Sequence, residues 1–301
     1  MWIQIALFIV SLVVSYALQP KPQRPKAAAF EEFDFPTVED GTPQIVVFGD
    51  VWLTDWTVLG VGNYRTSNIV AKQKGLFGSK KTTTGYRYHM SLHMGLCRGM
   101  DDLIEIKVGD RTAWTGTLAA TGGRLSIKKP DLFGGDKGEG GINGSLIVSY
   151  GRPDQPVLTE LSAIFGVVPA YRGVVTFFYD GLVCSNSPYP KPWSFRVRRV
   201  TSDWDGAVWY ADKAVIWLED NKIKAMNPAH ILYEVQTNTL WGRGFSAAQL
   251  DLNSFKAAAD QLYNEKFGVC LAWRRQDSLN NFIQQILDQI GAALYVDRTT
   301  G

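Results

Sequence analysis

From Tyr86 to Leu96 the chain alternates without a break, and Tyr88, Met90, Leu92, Met94 and Leu96 share one side of it. A period of two is the signature of a strand with one face in a core, and a helix cannot keep those five residues together. Leu103-Ile-Glu-Ile-Lys-Val108 repeats the pattern and ends at the turn signal Gly109-Asp110, ahead of Trp114. Further strands are expected at Gln44–Phe48, Leu146–Tyr150, Gly173–Tyr179 and Trp193–Arg199, with long loops at Lys72–Thr84 and Phe133–Gly144. The region from Gln44 to Val200 therefore reads as all-β or nearly so.

After about residue 225 the period changes. Asn227-Pro228 is a helix start, with the amide as cap and proline in the first helical position, leading into Ala229–Val235. Asp251 or Asn253 caps a second helix whose stripe is Leu252, Phe255, Ala259, Leu262 and Tyr263. A third begins near Ser278, carries Leu279, Phe282, Ile283, Ile286, Leu287 and Ile290, and stops at Gly291. Val269–Trp273 reads as a buried strand between the last two helices, and Ala293–Val296 as another, followed by a turn at 297–301. A hairpin without its return strand leaves an open edge. The sequence is accordingly expected to be the N-terminal part of a longer polypeptide. The fold class expected is α+β, in three parts: a hydrophobic helix and Pro/Lys linker at 1–26, a β-rich domain at 27–205, and a smaller helical α/β domain at 206–301.

The first part stands apart from the rest. Met1 to Leu18 contains no charge, and Gln19-Pro-Lys-Pro-Gln-Arg-Pro-Lys26 follows at once. As a helix, Trp2–Leu18 spans about 26 Å, a short but admissible crossing of a hydrocarbon core about 30 Å thick. A cleaved signal fits poorly, because no basic residue precedes the run and Tyr16 and Leu18 stand where small residues are wanted. The flank Lys21, Arg24 and Lys26 would leave the remaining chain on the cytoplasmic side of a single-pass anchor. A helix apolar all round can also be buried among its own copies in an assembly.

Composition excludes little else. There are 31 basic and 29 acidic residues, so no global field demands a polyanionic partner. Cys97, Cys184 and Cys270 are scattered and odd in number, which suits free thiols made in a reducing compartment. Ten tryptophans and twelve tyrosines point to extended β surfaces or wide interfaces.

No catalytic, cofactor or metal site is assigned. His89, His93 and Cys97 stand four apart, but on a strand three such ligands lie too far from one another for one tetrahedral ion. His89 and His93 are expected together on the less apolar face. Asp101, Asp102 and Glu105 read as a solvated turn and the outer face of a strand. The glycine-rich stretch 133–144 lacks the Gly-Lys-Ser/Thr ending of a phosphate loop, and neither G-x-S-x-G nor H-E-x-x-H occurs. Lys72, Lys74, Lys80 and Lys81 form a basic loop interrupted by Leu76-Phe77, read as solvated or subunit-contacting rather than as a nucleic-acid contact.

Four stretches together resemble the tail tip, or baseplate hub, proteins of long-tailed bacteriophages (siphophages) of the host-specificity type. They are Asp40-Gly-Thr-Pro-Gln-Ile-Val-Val-Phe-Gly-Asp50; His93-Met-Gly-Leu-Cys-Arg-Gly-Met100 with the strand after it; Val168-Pro-Ala-Tyr-Arg-Gly173 continuing to Pro192-Trp-Ser-Phe-Arg-Val-Arg-Arg199; and Asn227–Asn238 with Trp241-Gly-Arg-Gly244 and Phe255–Asp260. The third is the most specific, and together they cover most of residues 40–297. The resemblance implies a non-enzymatic virion protein, a homotrimeric hub that closes the distal end of the tail tube. It also implies contact with the distal tail protein, the tape-measure protein and other tail-tip proteins, a role in host attachment and genome ejection, and DNA passing through the lumen without specific binding. The apolar segment would then be stored in the particle and meet the host membrane only transiently. Tyr171 and Arg172 would fix a turn and the start of a strand. A membrane-anchored adhesin or envelope protein, and a cell-wall hydrolase, are the readings from other classes.

Overall fold

Each alternating segment of the first two hundred residues has become a strand with its apolar side inward. The computed structural model describes residues 26–33, 44–75, 78–119, 121–200, 208–274 and 278–298. The expected N-terminal helix lies outside them. The strands are β1 (Val46–Leu53), β2 (Thr57–Gly75), β3 (Gly78–Gly95), β4 (Asp102–Val108), β5 (Arg111–Thr115), β6 (Gly123–Lys129), β7 (Ile142–Ser149), β8 (Thr176–Ser185) and β9 (Trp193–Arg199). A short helix, α1 (Thr159–Phe165), interrupts them. The hairpin β10 (Val215–Leu218)–β11 (Ile223–Met226), α2 (Pro228–Thr237), α3 (Leu252–Asn264), β12 (Leu271–Trp273) and α4 (Leu279–Ile290) follow. The architecture is α+β and rich in sheet.

Two five-stranded sheets, ordered β12-β1-β9-β4-β5 and β2-β3-β8-β7-β6, enclose the main core. Met90, Leu92 and Met94 of β3 meet Ile106 of β4, Phe177 and Tyr179 of β8, and Trp193 and Phe195 of β9, all at most 2% exposed. Phe177 stacks on Phe195 with centroids 4.4 Å apart, and Tyr179 meets Trp193 at 5.1 Å. Two buried polar ends find partners: the Trp56 indole donates to the Trp193 carbonyl at 3.0 Å, and the Tyr179 hydroxyl to the Leu182 carbonyl at 2.6 Å.

A second core forms between β1, β12 and the helices. Alternation along β1 sends Val47 into the sandwich and Val46 and Phe48 into this second core, so one strand is the wall of both. Phe48 stacks on Phe282 of α4 at 5.7 Å, and Phe282 on Trp273 at 4.6 Å. Gly49 sits where β1 stops pairing with β12 and starts pairing with β9. Its φ is +73°, and a Cβ there would meet the Val269 carbonyl oxygen at 2.6 Å, so only glycine fits.

The helix caps follow the sequence. Asn227 accepts from the Ala229 amide, Asp251 from those of Asn253 and Ser254, and Ser278 from that of Asn281, while Gly291 closes α4 in the left-handed region. Other expectations are corrected. Lys72–Thr84 is no loop, because the backbone pairs from Lys72↔Lys81 out to Gly75↔Gly78. Ala293–Val296 forms no strand; Tyr295 and Val296 are exposed and Ala293–Val296 pairs with no strand among the described residues. The otherwise all-β region contains α1, which lies on β2 where Gly60 and Gly62 let Phe165 and Ile164 approach the backbone.

Candidate assembly surface

The β2–β3 hairpin is longer than the sheet that carries it. Strand β8 pairs with β3 only from Arg87 to Gly95, so Gly78–Tyr86 of β3 and Asn68–Gly75 of β2 pair only with each other. At about 3.4 Å per residue this ribbon stands roughly 30 Å beyond the sandwich. Most of its described side chains face solvent: Asn68, Val70, Lys72, Lys81 and Thr84 are exposed, and Ile69 is the one buried apolar side chain among the described residues of the ribbon. An isolated two-stranded ribbon is at best marginally stable in water. The whole of β2 is moreover a sheet edge, and a long open edge is a template for another chain.

The root of the arm is braced from two sides. On one side the glycine-rich stretch folds into a compact turn rather than a long loop. Phe133 donates to the Gly140 carbonyl at 2.8 Å, and Gly140 to that of Gly135 at 3.0 Å. Asn186 donates from its side chain to the carbonyls of Asp136 and Gly138, at 3.1 and 2.6 Å, and from its amide to the Tyr86 carbonyl at 2.8 Å. Arg87 of β3 forms a two-pronged ion pair with Asp136. On the other side runs the strap Lys26–Phe33. The Ala28 amide donates to the Tyr88 hydroxyl at 3.2 Å, the Tyr64 hydroxyl donates to the Ala28 carbonyl, and Phe33 packs between the two tyrosine rings at 5.6 and 5.7 Å. A cleft of about 430 Å³ lies between the two braces, lined by Lys26, Thr84, Tyr86, Asp136, Lys137 and Asn186.

The outer face of the same sheet carries a polar ladder. Asn63 donates to the Ser91 hydroxyl at 3.1 Å, Ser91 donates to Asp180 at 2.8 Å, and both outer nitrogens of Arg65 reach Asp180 at 3.2 and 3.4 Å. The ladder ties β2, β3 and β8 together. The Ser91 proton points at a carboxylate already held by arginine, which is no activation of a nucleophile. His89 pairs with the Ser67 hydroxyl at 3.3 Å, and burial, aided by Arg65 and Arg87, lowers its pKa. His93 is almost fully buried, edge-on to Tyr171 at 4.6 Å, with Nε2 unpartnered, and burial pushes its pKa down to about 4.

The structure places the other sequence candidates as follows. His89 and His93 share the outer face, as expected, whereas Cys97 lies in the sandwich core with its thiol pushed up to about 12 by burial. No group of three metal-ligating side chains forms among the described residues. Cys97 and Cys184 are buried and Cys270 half-buried, all as free thiols. The acidic trio is not simply solvated. Asp101 accepts from the Val200 amide at 2.7 Å, Asp102 pairs with Arg198 at 3.3 Å, and Glu105 accepts from the Thr112 hydroxyl at 2.7 Å. Tyr171, at φ +52°, and Arg172 shape the turn before β8, the latter by donating to the Gln155 carbonyl at 3.1 Å. The cover that Tyr171 gives His93 had no signal in the sequence.

Sequence reading missed the ion-pair network at the join of the two cores. Asp50 of β1 accepts from Arg196 at 2.7 and 3.0 Å and from Arg198 at 3.3 Å, and the neighbouring Arg199 pairs with Glu234 of α2. The run Arg-Val-Arg-Arg at 196–199 was the available cue, since a strand this basic in a neutral chain needs carboxylates opposite it. Among the described residues no helix is long and apolar enough to cross a membrane. Neither models of known protein families nor curated proteins give a match to the chain.

Proposed function

We propose that the chain is a structural component of a phage tail tip, a subunit of a trimeric hub that closes the distal end of the tail tube and links it to the receptor-binding parts. The observation that carries this reading is the projecting β2–β3 arm with its open edge. In a ring built head to tail, the β2 edge of one copy meets the β6 edge of the next, and the sheets run on around the axis. Such an assembly gives the arm the partner that a solitary ribbon lacks. The resemblance in the four sequence stretches supplies the location and the neighbours: the distal tail protein and the tape-measure protein. The apolar run Met1–Leu18 would serve membrane penetration or DNA delivery.

Sedimentation equilibrium of the soluble chain from Ala27 onward tests the assembly. Three copies of the 33.5 kDa chain, less the removed segment, should sediment as one species of somewhat under about 100 kDa. Replacing residues 70–83 by a short glycine turn should return monomers, and a full-length arm on a monomer at micromolar concentration would contradict the reading. The uncharged N-terminal run favours one alternative, a membrane-anchored adhesin or envelope protein. That alternative requires the chain expressed alone to fractionate with membranes and to be released by deletion of residues 1–26.

A further inference from the structure

The charge of this chain is divided unevenly. Between Thr57 and Gly95 the hairpin carries Arg65, Lys72, Lys74, Lys80, Lys81 and Arg87 and no Asp or Glu at all. Removing those six basic residues leaves 25 basic against 29 acidic residues in the rest of the chain. The near-neutral total therefore hides an arm of +6 on a body of −4.

The distal lysines are crowded rather than dispersed. Lys72 and Lys81 are direct cross-strand partners, Lys74 follows two residues on, and Lys80 is paired with Gln73. Like charges opposite one another destabilise a sheet. Lys72 and Lys81 are exposed, and neither takes part in an ion pair among the described residues. Nearer the body, by contrast, Arg65 and Arg87 are answered by Asp180 and Asp136. The arm thus gathers four lysines at its outer end, where β2 and β3 pair only with each other.

We infer that the outer end of the β2–β3 arm binds the phosphate backbone of nucleic acid, without regard to sequence. A two-stranded ribbon fits a groove of duplex DNA. Hydroxyl and amide residues flank the lysines in sequence: Thr66, Ser67, Asn68 and Gln73 on one strand, and Ser79, Thr82, Thr83 and Thr84 on the other. These are the residue types that donate to phosphate oxygens beside lysine. An anionic membrane surface is the competing polyanion, since Leu76 and Phe77 lie between the lysines in sequence. The described part of the arm favours nucleic acid, because Val70 is its one large exposed apolar side chain. The inference does not depend on the chain being a tail hub.

Fluorescence anisotropy of a labelled 30-base-pair duplex of arbitrary sequence, titrated with the full chain, tests it. Binding should be of micromolar order at 50 mM NaCl, equal for unrelated sequences, and should weaken with salt at a slope of about −3.6 in log–log form for four phosphate contacts. The variant K72Q/K74Q/K80Q/K81Q should lose tenfold or more in affinity with an unchanged circular dichroism spectrum and melting temperature. K213Q/K256Q, on the helical part, should bind as the parent does. Absence of duplex binding, or binding that the arm variant leaves intact, would overturn the inference. So would lysine-dependent binding to phosphatidylserine vesicles with none to the duplex.

Discussion

Arg196 closes on Asp50 with two parallel hydrogen bonds, 2.7 Å from Nε and 3.0 Å from the outer nitrogen, and the carboxylate they enclose is 1% exposed. The pair is separated by 146 residues in sequence. It holds β1 to β9 at the point where the sandwich core gives way to the helical one.

Removing the carboxylate leaves Arg196 and Arg198 facing each other at that join. Asp50→Asn should therefore destabilise the chain by about 3 kcal/mol, measured by urea denaturation. Asp180→Asn, which breaks the Arg65 ion pair on the open face, should cost about 1 kcal/mol or less, since both partners there are more than 40% exposed. Equal costs at the two sites would show that burial does not set the strength of the first.

Gly49 tests the joint in another way. Its left-handed φ and the nearby Val269 carbonyl leave no room for a methyl group. Gly49→Ala should cost about 2–4 kcal/mol and speed amide exchange at Val46–Phe48, where β1 meets β12. Gly173→Ala, with φ +77° but open space around it, should cost only the backbone strain, about 1 kcal/mol.

His93 should make stability depend on acid. Its folded pKa of about 4 lies below the ordinary 6.5, so the unfolded chain binds the proton first. The contribution is complete above pH 6.5 and is lost as pH falls toward 4, with a slope of up to about 1.4 kcal/mol per pH unit. His89 and His230, also lowered by burial, act with the same sign. His93→Gln should flatten the curve between pH 6.5 and 4 by close to one proton. A curve unchanged in slope would mean that the buried ring is already protonated.

The strap at the arm root is held by two hydroxyls, and Tyr64→Phe with Tyr88→Phe keeps the rings while removing both bonds to Ala28. The double variant should lose about 1–3 kcal/mol and be cut by trypsin at Lys26 several-fold faster. Unaltered cleavage would show that Phe33 alone anchors the segment.

Tyr88, Met90, Leu92 and Met94 are buried in the order their alternation requires, and Asn227, Asp251 and Ser278 cap the helices they precede. The arm was hidden because Lys72–Thr84 carries no apolar alternation and so reads as a loop. Helix α1, seven residues long, is too short to show a period. Ala293–Val296 has strand composition, but composition cannot provide a neighbouring strand. The pairing of β1 with β12 and the Asp50–Arg196 bond join residues over a hundred positions apart, and no local signal marks them. The turn at 133–144 showed its glycines but not its task of bracing the arm root.

The most direct test of the tail-hub proposal is where the chain sits in an assembled particle. Electron microscopy of phage particles labelled with a gold-conjugated antibody raised against residues 44–200 should place gold at the distal end of the tail. Gold confined to host membranes, with bare tail tips, would contradict it.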